Sequence, residues 1–176
     1  MLNSKFTQQL QIGQLGESAI AVWLRGKGWA VLPIYDIEIQ TGKGPRLFAP
    51  DGEWAAPDML AYKANTAIWI EAKHKTAFSW HRLTGRWVTG VDLRHYEHYC
   101  KIEDMSPWPV WLMFLHRGGQ AKDSPPSPSG LFGNRLEVLR RQENHRSDKW
   151  GKWGMVYWAL PSLKLLGRVN GDGSIV

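Results

Sequence analysis

Cysteine is nearly absent from this chain of 176 residues, in which Cys100 stands alone. A single thiol closes no intramolecular disulfide and builds no cysteine zinc site, so neither a disulfide scaffold nor a zinc finger is open to the sequence. Long apolar stretches are missing as well. No run of 18 apolar residues occurs, which excludes a membrane-spanning helix. The opening residues Met1-Leu2-Asn3-Ser4-Lys5-Phe6 lack a secretory signal core, and a cytoplasmic protein with no membrane attachment is the expectation. Two catalytic signatures are also absent. Without Gly-x-x-x-x-Gly-Lys-Ser/Thr an ATP-driven motor is disfavoured, and without Gly-x-Ser-x-Gly the common esterase elbow is removed.

What is present suits one globular domain over residues 1–176, with 43% hydrophobic content to fill a core. Basic residues outnumber acidic ones 22 to 16, and the isoelectric point is near 9.5, which favours a polyanionic partner. Eleven tryptophans are many for this length. Most are expected to pack in or against the core, with a minority free to stack on bases.

Periodicity predicts a helix over about Thr7–Lys27, with Ile12, Leu15, Ala19, Trp23 and the flanking Val22 as its apolar stripe. Gly13 and Gly16 cost a helix roughly 1 kcal/mol each, so they point to close approach by another backbone or a ligand. Glu17 follows this glycine pair. A strand is expected over Trp29–Ile39, then a Gly/Pro-interrupted loop over Thr41–Pro50 carrying Lys43 and Arg46. Two strands follow, Ala56–Tyr62 and Ala67–Lys73, joined at Lys63-Ala64-Asn65-Thr66. A basic, aromatic connector (His74, Lys75, Phe78, Trp80, His81, Arg82, Arg86, Trp87) leads to Asp92, the expected N-cap of a helix to about Asp104. Tyr96, Tyr99 and Cys100 would form that helix's inner face. Pro109–His116 reads as a strand buried on both faces. Gly118–Gly130, rich in proline and serine, reads as a flexible surface loop. A short element over Leu131–Arg141, a strand over Met155–Leu160 and a terminal helical turn over Leu163–Leu166 complete the chain. The order describes an α/β sandwich with a mixed sheet.

The chemistry concentrates in Pro57-Asp58 and, after twelve intervening residues, Glu71-Ala72-Lys73. Strand alternation puts Ile68, Ile70 and Ala72 on one face and Trp69, Glu71 and Lys73 on the other, so Glu71 and Lys73 point the same way, roughly 6–7 Å apart. Two carboxylates and an ammonium on adjoining strands can hold a hard divalent cation and polarise a phosphate. Alternation also returns Lys75 to the Glu71 side as a phosphate contact and turns His74 away. Arg82, Arg86, Arg94 and Lys101 can extend a backbone-binding surface. Arg140, Arg141, Arg146, Lys149 and Lys152, interleaved with Trp150 and Trp153, form a second basic cluster that either grips nucleic acid or is a solvated hairpin. His95 and His98, at i and i+3, permit two metal ligands on one helix face, but no third ligand follows at a useful spacing.

Pro57-Asp58, Glu71-Ala72-Lys73 and Glu17 within Gly13-Gln14-Leu15-Gly16-Glu17 resemble the motif of the PD-(D/E)XK, or restriction-endonuclease-like, nuclease superfamily. The glycine-rich helix and the thirteen-residue step from Asp58 to Glu71 look most like archaeal Holliday-junction resolvases and related phage nucleases. The resemblance covers about residues 8–116. It implies an α/β/α sandwich with a central mixed sheet and a metal-dependent DNA endonuclease, possibly one for branched DNA such as Holliday junctions. The implied catalytic set is Glu17, Asp58, Glu71 and Lys73. The implied ligands of Mg2+, or of Mn2+ in its place, are Asp58, Glu71, the Ala72 carbonyl and Glu17. A homodimer is expected if a duplex or junction is cut, since two strands require two centres. The competing reading is a catalytically inactive nucleic-acid-binding module on the same fold.

Overall fold

Helix α1 (Ser4–Gly26) stops at a left-handed Gly28, φ +82°, where the Trp29 N–H returns to the Leu24 carbonyl at 3.0 Å. The structure is a computed structural model and describes residues 4–34, 44–120 and 124–176, with α1 side chains from Leu15 onward. Strand β1 (Ala30–Pro33) follows, then a small hairpin of β2 (Arg46–Ala49) and β3 (Gly52–Ala55). β4 (Met59–Lys63) and β5 (Thr66–Lys75) form a tight hairpin, its turn made by Ala64, at φ 51°, and Asn65. Next come β6 (Ser79–His81), β7 (Arg86–Asp92), α2 (Leu93–Met105), β8 (Val110–His116), β9 (Gly130–Arg135) and α3 (Leu136–Arg140). β10 (His145–Ser147), β11 (Met155–Ala159), a 3-10 turn (Leu160–Ser162) and β12 (Lys164–Gly167) finish the chain. The expected strand positions Tyr35–Ile39, the loop positions Thr41 to Lys43, and the side-chain role of Ile12 and contact at Gly13 lie outside the described residues.

The central sheet runs β1-β4-β5-β8-β9-β12, with β5 and β8 parallel and the other neighbours antiparallel, so it is mixed as expected. Its two faces follow the alternation of β5 and β8. Ile68, Ile70, Ala72, Met113 and Leu115 pack with Ile20 and Leu24 of α1. Leu112 and Phe114 face the other way, with Tyr96, Tyr99 and Ile102 of α2. Helices therefore cover opposite faces of one sheet. Asp92 caps α2, its carboxylate accepting from the Arg94 N–H at 3.0 Å. Gly16 explains one of the costly helix glycines: a Cβ there would lie 2.5 Å from the His74 Cβ. α1 crosses β5 at that point because nothing projects from it.

Three expectations are corrected. The basic connector is not irregular: it folds as the β6–β7 hairpin, part of a second sheet in the order β10-β11-β7-β6. The short element at Leu131–Arg141 divides into a strand and one turn of helix. Leu163–Leu166 contributes to β12, which pairs Lys164 with Gly133, and not to a helical turn. β7, β9 and β12 each take a ladder from a strand distant in sequence, which local propensity does not report. The Gly118–Gly130 segment is tied down at Ser127, whose N–H donates to the Gly119 carbonyl at 2.7 Å and whose hydroxyl accepts from Phe78 N–H at 2.9 Å.

Candidate active site

Asp58 lies one residue before β4, and the pairing of Met59 with Ile70 puts it level with Glu71 on β5. Its backbone is held by the Ile34 N–H, which donates to the Asp58 carbonyl at 2.9 Å. Its side chain crosses to β5, where the Ala72 N–H donates to Oδ2 at 2.8 Å. Glu71 is 1% exposed. The Lys73 ammonium presses against its Oε1, and buried Tyr99 of α2 lies within the field of the carboxylate. Otherwise the two Glu71 oxygens are sealed from solvent and accept no hydrogen bond of ordinary geometry. Glu17, half-buried on α1, lies in the field of Asp58 and Lys73. Asp58, Glu71 and Lys73 are thus brought together, and Glu17 stands near enough to feel two of them.

The electrostatics follow from burial and crowding. Burial and then the Glu71 charge push the Asp58 carboxyl up to about 7, although Lys73 and the Ala72 amide act to lower it. Burial, followed by Asp58, also raises Glu17. Burial opposes the Lys73 charge, but Glu71, Asp58 and Glu17 outweigh it and hold that pKa above the ordinary lysine value. Lys73 stays an ammonium. Tyr99 is held as a phenol by burial and by Glu71 and Asp58.

The remaining expectations divide. Lys75 lies half-buried near this group, its pKa lowered by burial and by Lys73. His74 turns to the α1 face, and its Nε2 accepts from Arg117 Nε at 2.9 Å. Arg82 and Arg86 are exposed on the β6–β7 hairpin of the second sheet. Arg94 sits at the start of α2 with its guanidinium 5.5 Å from the Trp153 ring. Lys101 is occupied by Asp51 at 3.2 Å and by the Trp54 ring at 5.0 Å. The histidine pair does not act as one: His98 Nδ1 accepts the Ala55 N–H at 2.9 Å, whereas His95 feels Lys73 and is lowered chiefly by burial. Tyr99, read from the sequence as helix packing, and His95, weighed there only as a metal ligand with His98, are neighbours of the site. The i, i+3, i+7 spacing of Asp92, His95 and Tyr99 on α2 is the signal that marks them.

No family model matches this sequence, and no curated protein sequence matches it either. Among solved structures, the fold is similar to that of Hjc of Archaeoglobus fulgidus, described as a Holliday junction resolvase from an archaeal hyperthermophile. The TM-score is 0.51 at 11% identity, over 85% of this chain and 90% of that one. This is the restriction-endonuclease-like fold. Within it, Asp58 and Glu71 sit where the β4–β5 hairpin opens, and Gly16 brings Glu17 to the same end of β5.

Among the described residues, no three His, Cys, Asp or Glu side chains converge closely enough to hold an ion unaided. The donor set nevertheless fits a divalent cation. Glu71 offers two buried oxygens without well-formed hydrogen bonds, and Asp58 faces it with a carboxyl that burial and then the Glu71 charge keep protonated up to about pH 7. A residue's N–H and C=O leave a strand on the same edge, so the Ala72 carbonyl shares the edge where Asp58 binds the Ala72 amide. Such a set suits an ion that takes one or two carboxylates and keeps several waters.

Proposed function

We propose that this chain is a metal-dependent nuclease that hydrolyses phosphodiester bonds in DNA, with branched DNA such as a Holliday junction as its candidate substrate. The observation that carries the reading is the crowding of Asp58 against Glu71, whose oxygens lack proper partners, beside a lysine held charged. The similarity of the fold to that of a Holliday junction resolvase supports it.

Asp58, Glu71 and the Ala72 carbonyl would hold Mg2+, or Mn2+ in its place, with Glu17 reaching it through water. The bound ion would supply Lewis acidity to the scissile phosphate and to a water. Lys73 neutralises the charge that develops on the non-bridging oxygens. It cannot serve as base, because its neighbours hold its proton. Glu17 is the carboxylate left to orient the attacking water and take its proton, its pKa raised by burial and by Asp58. Tyr99 and Lys73 orient Glu71. Lys75, Arg82, Arg86 and Arg94 contact the DNA backbone, and two copies of the chain act on the two strands of a junction.

The inactive binding module is the second reading. A crowd of buried acids with no cation to hold is a standing cost to the fold, which counts against it. The deciding experiment offers linear duplex, single-stranded, flap and four-way-junction DNA to the protein with Mg2+, Mn2+ or EDTA. Metal-dependent cleavage that disappears in Asp58→Ala, Glu71→Ala and Lys73→Ala is expected. Binding with no cleavage of any substrate would leave the module; cleavage by all three variants would move the site elsewhere.

A further inference from the structure

The loop between β10 and β11 repeats itself. Lys149-Trp150-Gly151 is followed at once by Lys152-Trp153-Gly154. The repeat is conformational too, since Gly151 and Gly154 both take left-handed backbone, at φ +76° and +84°. Each unit thus turns the chain behind its indole and presents the ring outward: Trp150 is 67% exposed and Trp153 54%. Two indoles in one loop left in water are not core packing. The loop is also anchored. The Leu93 N–H donates to the Gly154 carbonyl at 3.0 Å, and a Cβ on Gly151 would meet Met155 Sδ at 3.2 Å.

Cations stand beside these rings. Trp153 has Lys152 Nζ 5.3 Å and the Arg94 guanidinium 5.5 Å from its centroid. Other basic residues of the region are already paired: Arg140 with Asp104, Arg141 with Glu137, Arg146 with Glu143. Lys149 and Lys152 enter no ion pair among the described residues. Trp150 and Lys149 form one end of a groove of about 810 Å³ that runs to Trp80, His81 and Leu83 of the β6–β7 hairpin. Its floor is a column of flat rings, His81 on His145 at 4.4 Å and His145 on Tyr157 at 4.6 Å. Asp148 is the one carboxylate among the groove's lining residues. Flat rings, outward indoles and unpaired ammonium groups suit a polyanion with exposed π-faces, whereas a base-paired duplex hides its faces inside the stack.

We infer that the tandem Lys-Trp-Gly loop and the groove beside it bind single-stranded DNA, with bases on Trp150 and Trp153 and phosphates on Lys149 and Lys152. The loop leans on the first turn of α2, the helix that packs over the sheet face carrying Leu112 and Phe114. This deepens the nuclease reading by assigning a substrate with an unpaired strand. The binding itself requires no cleavage.

The test is fluorescence anisotropy in EDTA with labelled oligodeoxythymidine of about 16 nucleotides, near the upper site size of one binding fold. Blunt duplex and oligouridine serve as comparison arms. The parent is expected to prefer the DNA single strand to duplex. Trp150→Ala/Trp153→Ala should bind it about tenfold or more weakly, with Trp150→Phe/Trp153→Phe restoring part of the loss. Lys149→Glu/Lys152→Glu should flatten the salt dependence. The readout is taken in EDTA and needs no cleavage, which separates this surface from the cleavage site. Circular dichroism verifies the fold of each variant. Equal affinity for duplex and single strand, preference for oligouridine, or unchanged binding after loss of both indoles would overturn the inference.

Discussion

The Asp58 carboxylate accepts a 2.8 Å hydrogen bond from the Ala72 amide, the residue between Glu71 and Lys73. That one bond draws Asp58 across the open end of the β4–β5 hairpin and sets it against Glu71. The amide favours the carboxylate form, but burial and Glu71 prevail and leave the carboxyl near 7. A cation bound between the two carboxylates would relieve their repulsion.

Asp58→Asn should accordingly lose cleavage and gain stability. The amide oxygen can still accept from Ala72, while the repulsion disappears; a gain of ~1–2 kcal/mol is expected at pH 8 in EDTA. The sign with pH can be worked out. Asp58 titrates from 3.8 in the unfolded chain to about 7 in the fold, so the native state binds the extra proton and its contribution falls as pH rises through that window. Glu17 acts in the same sense. Buried His116, lowered to about 3, and His95 act oppositely below about pH 6.5, because the unfolded chain protonates them first. Lys73 is charged throughout and drops out. The parent's melting curve thus mixes signs, and the difference between variant and parent isolates Asp58. Calorimetry at pH 5 and pH 8 should show that difference more positive at the higher pH, since most of the 3.8-to-7 window lies between them. A variant less stable than the parent at both would refute the crowding.

Metal binding should release protons. A cation entering between Asp58 and Glu71 displaces the proton on Asp58, so affinity should fall about tenfold per pH unit below about 7. Titration calorimetry with Mn2+ in two buffers of different ionisation enthalpy counts the protons. About one per ion is expected near pH 6, and none from Asp58→Asn. Affinity independent of pH would place the cation elsewhere.

The parts of the chain that build this site were unequally legible in the sequence. Strand alternation reads Glu71 and Lys73 onto one face, and Asp92 announces α2, because both are local signals. The step from Gly16 to His74 was half-visible: two glycines in a helix imply close approach, but only the fold shows that β5 approaches. Tyr99 read as plain helix packing, since nothing in its own segment tells that Glu71 lies opposite. The second sheet was legible only in part. β11 reads as a strand over Met155–Leu160, but its partner β7 lies more than sixty residues away, and nothing local places the two side by side.

Tyr99→Phe tests the residue that sequence reading missed. The ring continues to fill the core, but the hydroxyl that stands near the Glu71 carboxylate is lost. Removal of such an orienting partner typically costs ~10–100-fold in metal affinity. Mn2+ titration should show a loss within that range, with a melting temperature close to the parent's. Unchanged affinity would make Tyr99 a packing residue only.

Gly16→Ala tests whether Glu17 is held in place by the helix approach. The new methyl would sit 2.5 Å from the His74 Cβ, and His74 is itself fixed by Arg117 at 2.9 Å. α1 must then move away from β5, at a cost of ~1–3 kcal/mol for overpacking. Glu17 moves with it and loses its reach to the attacking water, while Asp58, Glu71 and Lys73 stay on their strands. The expected result is specific: Mn2+ affinity near the parent's, with cleavage of the preferred substrate reduced at least tenfold under conditions where the variant is fully folded. Glu17→Gln should show the same split without the loss of stability. If Gly16→Ala cleaves as fast as the parent once folding is matched, Glu17 takes no part in the chemistry, and the proton acceptor must be sought among the other groups around Lys73.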